Sequence, residues 1–258
     1  MFPPLYAILD PGLILTSAAN PPTTPKDAGI GDALGGRSFS SDISQRLPLG
    51  ALAPEDSNSA SAISLATRLA ASGVSLIQLR NKRASAAKLF AAAREWTQAL
   101  APLGTRLIVN DRPDIAAMVG AGGVHIGQED LPVEAARAIC GPGRWVGVST
   151  HNLDQFRAAI ATSADYIAIG PIFPTASKQN PDPVVGLDLL RQARALTRKP
   201  LVAIGGITIE SAADVFRSGA DSIAVIRDLA GAPDPASRAR EYLAIAERVK
   251  PRTGREKI

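Results

Sequence analysis

Two aspartates stand just beyond short apolar runs of the sequence. Asp111 follows Leu107–Val109 after one intervening asparagine, and Asp130 lies shortly after Val124–Ile126. Neither has a cysteine nearby, and a few hard oxygen ligands suit Mg²⁺ that keeps its waters and shares a substrate diphosphate. Either aspartate alone is more often a helix cap. The pair therefore predicts a magnesium site, with the helix-cap alternative left open.

Cations and glycines follow other apolar runs in the same way. Arg80, Lys82 and Lys178 can supply positive charge to phosphate oxygens, although lone surface cations are usually only solvated. Gly205-Gly206 precedes a helix start at Thr208, where backbone N–H groups and the helix dipole favour an anion. The glycines can equally serve a tight turn alone. Together these residues predict a site for phosphorylated ligands.

The histidines and the cysteine do not indicate zinc. His125 lies inside an apolar run and is interpreted as a hydrogen-bonded core residue, while His151 lies just beyond another run. No HxxxH or Cys/His spacing is present. Cys140 is the single cysteine, so no intrachain disulfide can form, and we interpret it as a structural thiol in a reducing compartment.

The elements that carry these residues alternate between short β-rich runs and longer Ala-rich helical patterns. Regular alternation predicts a parallel sheet, and eight units in this length predict an α/β fold of the (β/α)₈ TIM-barrel type, with an open doubly wound sheet as the alternative. The predicted strands are Leu5–Leu9, Val74–Leu79, Arg106–Val109, Val124–Ile126, Trp145–Val148, Tyr166–Ile169, Leu201–Ile204 and Ser222–Ile226. The predicted helices are Ser59–Ala71, Ala84–Leu100, one after Pro113, one from Pro132, Leu153–Thr162, Leu187–Leu196, Ile209–Ser218 and Ala236–Val249.

Nearly every predicted strand is followed by a cluster of polar residues or glycines, whereas the connectors that precede the strands are mostly Gly, Ala, Thr and Lys. In a barrel of this type the active site forms at the carboxyl ends of the strands. This asymmetry predicts an enzyme.

A single barrel is predicted over residues 1–250, with an irregular Ser/Pro/Gly-rich insertion at about 16–58 and a flexible tail at 251–258. An insertion of this length is uncommon inside a compact domain. It is interpreted as a mobile surface loop or, because it follows the first strand, as a lid over the catalytic face.

Bulk properties narrow the class further. The 258 residues are 46% hydrophobic and 4% aromatic with a net charge of +4, which fits anionic ligands and gives few aromatic side chains to stack on bases. We expect no nucleic-acid partner. The sequence lacks both a secretory signal and an apolar stretch of membrane-spanning length, so we expect a cytoplasmic protein without a membrane partner. A homo-oligomer is compatible with the sequence.

Six motifs, in this order along the chain, resemble those of the thiamine phosphate synthase family. They are Gln78-Leu79-Arg80-Asn81-Lys82, Val109-Asn110-Asp111, His125-Ile126-Gly127-Gln128-Glu129-Asp130, Gly147-Val148-Ser149, Gly170-Pro171-Ile172-Phe173-Pro174-Thr175 with Lys178, and Ala203-Ile204-Gly205-Gly206-Ile207. The resemblance spans residues 5–10 and about 60–248, and only the insertion is uncovered. The combination of motifs is specific, although no single motif is.

The resemblance implies a Mg²⁺-dependent transferase of thiamine biosynthesis. A (diphosphooxymethyl)pyrimidine would lose diphosphate to the ring nitrogen of a thiazole phosphate, so the partners would be two phosphorylated small molecules. Asp111 and Asp130 would hold the metal, and Lys178, Ser149 and Arg80 would be catalytic. The implied pyrimidine-diphosphate residues are Gln78, Leu79, Arg80, Asn81, Lys82, Asn110, Ser149 and Lys178. The implied thiazole-phosphate residues are Thr175, Ala176, Ser177, Gly206, Ile226 and Arg227.

Two residues depart from the family pattern. Asn81 stands where an acid is common, and Arg227 stands where a small hydroxyl residue is common. Three alternatives are weighed against the synthase. One is a thiazole tautomerase-like barrel with His151 as acid/base, another is a non-catalytic phosphate-binding barrel, and the third is a barrel of another phosphate-handling pathway.

Overall fold

Eight parallel strands close into a barrel in this computed structural model, which describes residues 1–11, 54–175 and 182–249. The strands follow one another around the barrel in chain order, and the first pairs with both the second and the eighth. Their bounds are β1 Leu5–Leu9, β2 Leu76–Leu79, β3 Arg106–Asn110, β4 Gly123–Ile126, β5 Trp145–Thr150, β6 Tyr166–Ile169, β7 Leu201–Ile204 and β8 Ser222–Val225. The predicted (β/α)₈ barrel is confirmed, and pairing of β1 with β8 excludes the open sheet.

Helices cover the outside of the barrel. Their bounds are α1 Pro54–Ala71, α2 Ala86–Leu100, α3 Pro113–Met118, α4 Val133–Cys140, α5 Leu153–Ile160, α6 Gly186–Leu196, α7 Ile209–Arg217, α8 Arg227–Ala230 and α9 Pro235–Val249. None of the helices within the described ranges is long and apolar enough to cross a bilayer.

Two helical segments differ from the prediction. Residues 54–58 were predicted as part of the insertion but form the first turn of α1, which starts at a proline, a residue favoured there. The short helix α8 was not predicted, because a single turn is too short to display helical periodicity. The rest of the insertion and the 251–258 tail lie outside the described residues, so the surface-loop and lid interpretations stay predictions.

The strands are buried on both faces, which gives the protein two apolar layers. In β1, Tyr6 and Ile8 point into the barrel lumen, whereas Leu5, Ala7 and Leu9 pack against the helices. This double burial explains why the strands are nearly continuous apolar runs without the alternation of a half-exposed sheet.

Aromatic side chains fill the lumen at the end where the strands begin. Phe2 stacks on Trp145 with ring centroids 5.1 Å apart, and the guanidinium of Arg106 lies 4.1 Å from the centre of the Trp145 ring. The cation and the stacked rings therefore pack this end of the lumen.

The edge at which the strands begin, the amino rim, carries two equivalent ion pairs. Asp165 binds Arg137 of α4 and accepts a hydrogen bond from the Val146 N–H of β5 at 2.7 Å. Asp221 binds Arg194 of α6 at 2.7 Å and accepts from the Leu201 N–H of β7 at 2.9 Å. Asp165 immediately precedes β6, and Asp221 immediately precedes β8. Each aspartate therefore links a helix to the strand before its own.

Candidate active site

A cavity of about 610 Å³ opens at the carboxyl rim, the edge of the barrel where the strands end. This volume is typical of small-molecule sites. The predicted site residues that line the cavity are Gln78, Arg80, Lys82, Asn110, Asp111, Asp130, Ser149, Thr175, Gly206, Ile226 and Arg227. The structure therefore brings residues of six sequence motifs and of β8 together around one space, as the strand-end rule predicts.

Five of the predicted residues are not placed in this lining. Ala176, Ser177 and Lys178 lie outside the described residues. Leu79 is buried in the layer between strands and helices, because neighbouring residues of a strand point to opposite faces. The Asn81 side chain accepts hydrogen bonds from the N–H groups of Arg83 and Ala84, so it organises the turn before α2.

The two aspartates face each other across the ends of β3 and β4. The carboxyl groups of Asp111 and Asp130 are within hydrogen-bonding reach, and Lys82 Nζ lies 3.1 Å from Asp111 Oδ2. Burial, and next the hydrogen bond to Asp130, raise the pKa of Asp111, while the charge of Lys82 opposes this rise. Two carboxylates in such proximity need a shared proton or a cation between them.

Backbone geometry holds both carboxylates in place. Asp111 has a left-handed φ of 61°, a conformation that aspartate tolerates better than most residues, and its N–H donates to the His125 carbonyl at 2.8 Å. The Gly127 N–H donates to Asp130 Oδ2 at 2.7 Å. The set of hard oxygen donors therefore fits a divalent cation such as Mg²⁺. Within the described ranges no group of three or more His, Cys, Asp or Glu side chains is arranged to hold a metal ion.

The cations at this end of the cavity differ in how firmly they are held. Arg80, at the end of β2, forms an ion pair with Asp10, whose side chain is only 11% exposed at the end of β1. The Lys82 side chain contacts Asp111, but more than half of its surface is exposed. Arg80 is therefore a pre-oriented guanidinium, and Lys82 is a cation whose long side chain can follow a ligand.

Below the charged groups, five polar side chains form a hydrogen-bonded chain through the lumen, which we call the lumen chain. It runs Gln78, Tyr6, Tyr166, His125, Ser149. Burial lowers the pKa of His125 to about 4, so its imidazole is neutral at physiological pH. His125 is thus the hydrogen-bonded core residue that the sequence indicated, and it also reaches the cavity.

The other side of the cavity is formed by the ends of β6, β7 and β8. Gly206 has a φ of 67°, and a Cβ atom there would come within 2.5 Å of the Pro174 carbonyl oxygen, so this position requires glycine. Thr208 begins α7 with a capping box formed with Ser211. Thr175, Gly205, Gly206 and Arg227 line this end next to the start of α7, which suits a phosphate group.

His151 also lines the cavity, beyond β5. Its Nδ1 lies 2.7 Å from the Gly170 carbonyl oxygen, which can only accept, so Nδ1 carries the proton. Asp182 Oδ2 lies 3.5 Å from the same nitrogen. The loop after β6, through Gly170 and Asp182, therefore holds the His151 ring at its Nδ1 side.

Several functional residues escaped the sequence analysis. Asp10 directly follows β1 as Asp111 directly follows β3, so the strand-end rule predicts it as well. Tyr6 and Tyr166 lie within strands, where two-sided burial leaves no sequence signal that distinguishes lumen-facing from helix-facing residues.

Comparisons with known proteins agree with this geometry. The family profile described as thiamine monophosphate synthase matches residues 50–229. A thiamine-phosphate synthase of Koribacter versatilis is 55% identical over 180 residues, covering 70% of this chain and 84% of that protein. A thiamine-phosphate synthase of Methanospirillum hungatei is 42% identical, covering 70% of this chain and 87% of that protein.

A solved structure gives the same result. Thiamine phosphate pyrophosphorylase from Pyrococcus furiosus superposes with a TM-score of 0.67 at 33% identity, covering 72% of this chain and 90% of that one. Fold, site geometry and sequence similarity agree, and the chain belongs to the thiamine monophosphate synthase family, whose members are transferases of thiamine biosynthesis.

Proposed function

We propose that this transferase joins 4-amino-2-methyl-5-(diphosphooxymethyl)pyrimidine to 4-methyl-5-(2-phosphooxyethyl)thiazole with the help of Mg²⁺. The bond between the pyrimidine methylene carbon and the diphosphate oxygen breaks, and diphosphate leaves with the electron pair. The thiazole ring nitrogen donates its lone pair to the same carbon. The products are thiamine phosphate and diphosphate, and no side chain has to act as a nucleophile.

One observation carries this proposal. One cavity has a carboxylate pair with adjoining cations at one end and, at the other, a glycine-lined end with Thr175 and Arg227. Two phosphorylated substrates that react with each other need such a bipolar site. The arrangement also separates the two anionic groups and leaves the less charged middle of the cavity for the heterocycles.

The proposed roles follow from position. Arg80, Lys82 and Asn110 bind the diphosphate, and preformed positive charge there stabilises the leaving group without reorganisation. Gln78 and Ser149 contact the pyrimidine. Gly206, Thr175 and the β8 end at Ile226 and Arg227 hold the thiazole phosphate. The roles of Lys178, Ala176 and Ser177 stay predictions.

We assign the Mg²⁺ site to Asp111 and Asp130. A bound divalent cation would neutralise charge that develops on the departing diphosphate. The fit rests on the proximity of the two carboxyl groups. Burial first, and then the hydrogen bond to Asp130, raise the pKa of Asp111, and a bound cation would favour its charged form.

The test is an assay of the purified protein with both phosphorylated heterocycles. We expect diphosphate and thiamine phosphate in equal amounts with Mg²⁺, and loss of both with EDTA. Omission of either heterocycle is the control. Absence of product in the complete mixture would reject the synthase, and full activity in EDTA would reject only the metal.

The same assay separates the alternatives. A phosphate-binding barrel would bind the substrates without turnover, and a tautomerase-like barrel would act on a thiazole substrate alone. Cytoplasmic location and self-association stay predictions.

A further inference from the structure

The lumen chain connects two substrate-facing groups through residues that the reaction itself does not use. Gln78 Nε2 lies 2.6 Å from the Tyr6 hydroxyl, which is 3.0 Å from the Tyr166 hydroxyl. His125 Nδ1 lies 3.0 Å from Tyr166, and its Nε2 lies 2.8 Å from Ser149 Oγ. The two tyrosines, Gln78 and His125 are all buried. Gln78 and Ser149, the two ends of the chain, line the cavity, and Tyr6 and His125 border it as well, whereas Tyr166 lies behind them.

The hydrogen atoms available allow only two complete arrangements of these bonds. A tyrosine hydroxyl has one hydrogen, and a neutral imidazole has one N–H and one lone pair. If the Gln78 amide donates to Tyr6, each group donates to the next, and His125 Nε2–H donates to Ser149. The Ser149 hydroxyl hydrogen is then left for a ligand.

In the opposite arrangement every bond reverses. The Gln78 amide is turned so that its oxygen accepts from Tyr6, and Ser149 donates to His125. Ser149 then offers a ligand only lone pairs. A mixture of the two directions would leave a buried hydroxyl unpaired in the lumen, which is costly. The orientation of Gln78 and the donor capacity of Ser149 are therefore linked.

We propose that Tyr6, Tyr166 and His125 are positioning residues that select a 4-aminopyrimidine and, by the same hydrogen-bond direction, make Ser149 a donor toward the oxygen that leaves with the diphosphate. This inference rests on the proposed function. The amino group donates to the Gln78 oxygen, which keeps the amide nitrogen on Tyr6. A 4-oxopyrimidine would need the amide turned, the whole chain reversed and the Ser149 donor lost.

The surrounding structure is built to hold this chain. A Cβ atom at position 147 would lie 2.0 Å from the Tyr166 ring, so Gly147 makes room for that tyrosine. The rings of His125 and Tyr166 stack at 5.5 Å, and Tyr6 meets Tyr166 edge-on at 5.9 Å. The amide of Gln128 donates to the Ser149 carbonyl at 2.6 Å, which fixes the chain's end. Packed rings cannot turn away to relieve an unpaired hydroxyl.

The experiment compares kcat/KM for the aminopyrimidine diphosphate and for its 4-oxo analogue in the full-length protein. We expect wild type to prefer the amino substrate by at least about 10²-fold, in the range of sites that reject a mismatched hydrogen-bonding group. Tyr166→Phe interrupts the chain and should reduce that preference by about tenfold. Tyr242→Phe, which removes the hydroxyl of a buried tyrosine outside the lumen, should keep the wild-type preference.

The outcomes separate two failures. If wild type makes no product from the amino substrate, the proposed function fails. If it makes product but Tyr166→Phe discriminates like wild type, the positioning role is overturned. Should Tyr166→Phe not fold, Tyr6→Phe gives the same comparison. A second readout is ¹⁵N NMR of His125 with the aminopyrimidine diphosphate bound, where we expect the proton on Nε2, and a proton on Nδ1 would overturn the direction.

Discussion

The two rims of the barrel use the same charged residue types in opposite ways. At the amino rim, Asp165 and Asp221 each bind an arginine and a strand N–H, so their negative charge is matched within the chain. At the carboxyl rim, Asp111 and Asp130 face each other, with the charge of Lys82 against Asp111. The amino-rim aspartates are paired for stability, whereas the carboxyl rim, besides its Asp10–Arg80 ion pair, holds two carboxylates together where a ligand can balance them.

The largest effect is expected from Asp111→Asn at the carboxyl rim. Loss of one group that stabilises charge in the transition state should reduce turnover by about 10²–10³-fold. Because the change also removes like-charge repulsion, the fold should remain intact. Diphosphate release measures the turnover, and circular dichroism checks the fold. Near-normal turnover would contradict the metal role of the pair.

Asp165→Asn at the amino rim should lower stability and leave turnover unchanged. The Arg137 guanidinium would lose its charged partner, and the free energy of unfolding should fall by about 1–3 kcal/mol. Turnover at 25 °C should stay near wild type because the site lies at the other end of the barrel. Urea unfolding and the diphosphate assay test both parts. Asp154→Asn, in an exposed ion pair with Arg157, is the matched control and should change stability little.

Asp10→Asn tests whether pairing at the carboxyl rim serves the site and not the fold. Asparagine keeps the shape but weakens the contact that orients Arg80. We expect kcat/KM for the pyrimidine substrate to fall roughly tenfold, the size of a lost charge-assisted hydrogen bond. If Asp10→Asn instead lost as much stability as Asp165→Asn and kept wild-type kinetics, Asp10 would serve the fold, as the amino-rim aspartates do.

Addition of Mg²⁺ should raise the Tm of the wild-type protein by a few degrees, because a cation that binds only the folded state stabilises it. Asp111→Asn should abolish this rise, and without metal its Tm should equal or exceed that of wild type. Differential scanning calorimetry with and without Mg²⁺ makes the comparison. An identical Mg²⁺ effect in both proteins would locate the ion elsewhere.

The smallest effect concerns an exposed pair beside the site. The hydrogen bond from Arg112 lowers the pKa of Asp114 from its ordinary 3.8. A lowered folded-state pKa gives stability that is present above the unfolded pKa and is lost as the pH falls through the folded value. Arg112→Ala should return the pKa of Asp114 toward 3.8 and cost less than about 1 kcal/mol at neutral pH. NMR titration of Asp114 measures this shift.

The sequence predicted the barrel because each strand is a short apolar run followed by polar residues. β1, β6 and β7 match their predicted bounds to the residue. The start of α1 was missed because Pro54-Glu55-Asp56-Ser57-Asn58 has the polar composition of a loop and no helical periodicity. Local composition cannot separate a first helical turn made of polar residues from a connecting segment.

The carboxyl rim was predictable for a similar reason, whereas the lumen chain was not. Asp111, Asp130 and Arg80 stand directly after strands, and chain order alone brings strand ends together. Tyr6, Tyr166 and His125 meet only because opposite strands point side chains into one narrow lumen. That convergence depends on the register of the closed barrel, which no local pattern reports.

The placement of β1 has a practical consequence. This strand hydrogen-bonds to β2 along one edge and β8 along the other, and residues 12–53 join it to α1. If the protein is made as two separate pieces, one ending after Pro11 and one beginning near Pro54, we expect the short piece to bind between the edges of β2 and β8, with Tyr6 in the lumen. Since the short piece also carries Asp10, recovered synthesis on mixing would report that the barrel has reassembled from its parts.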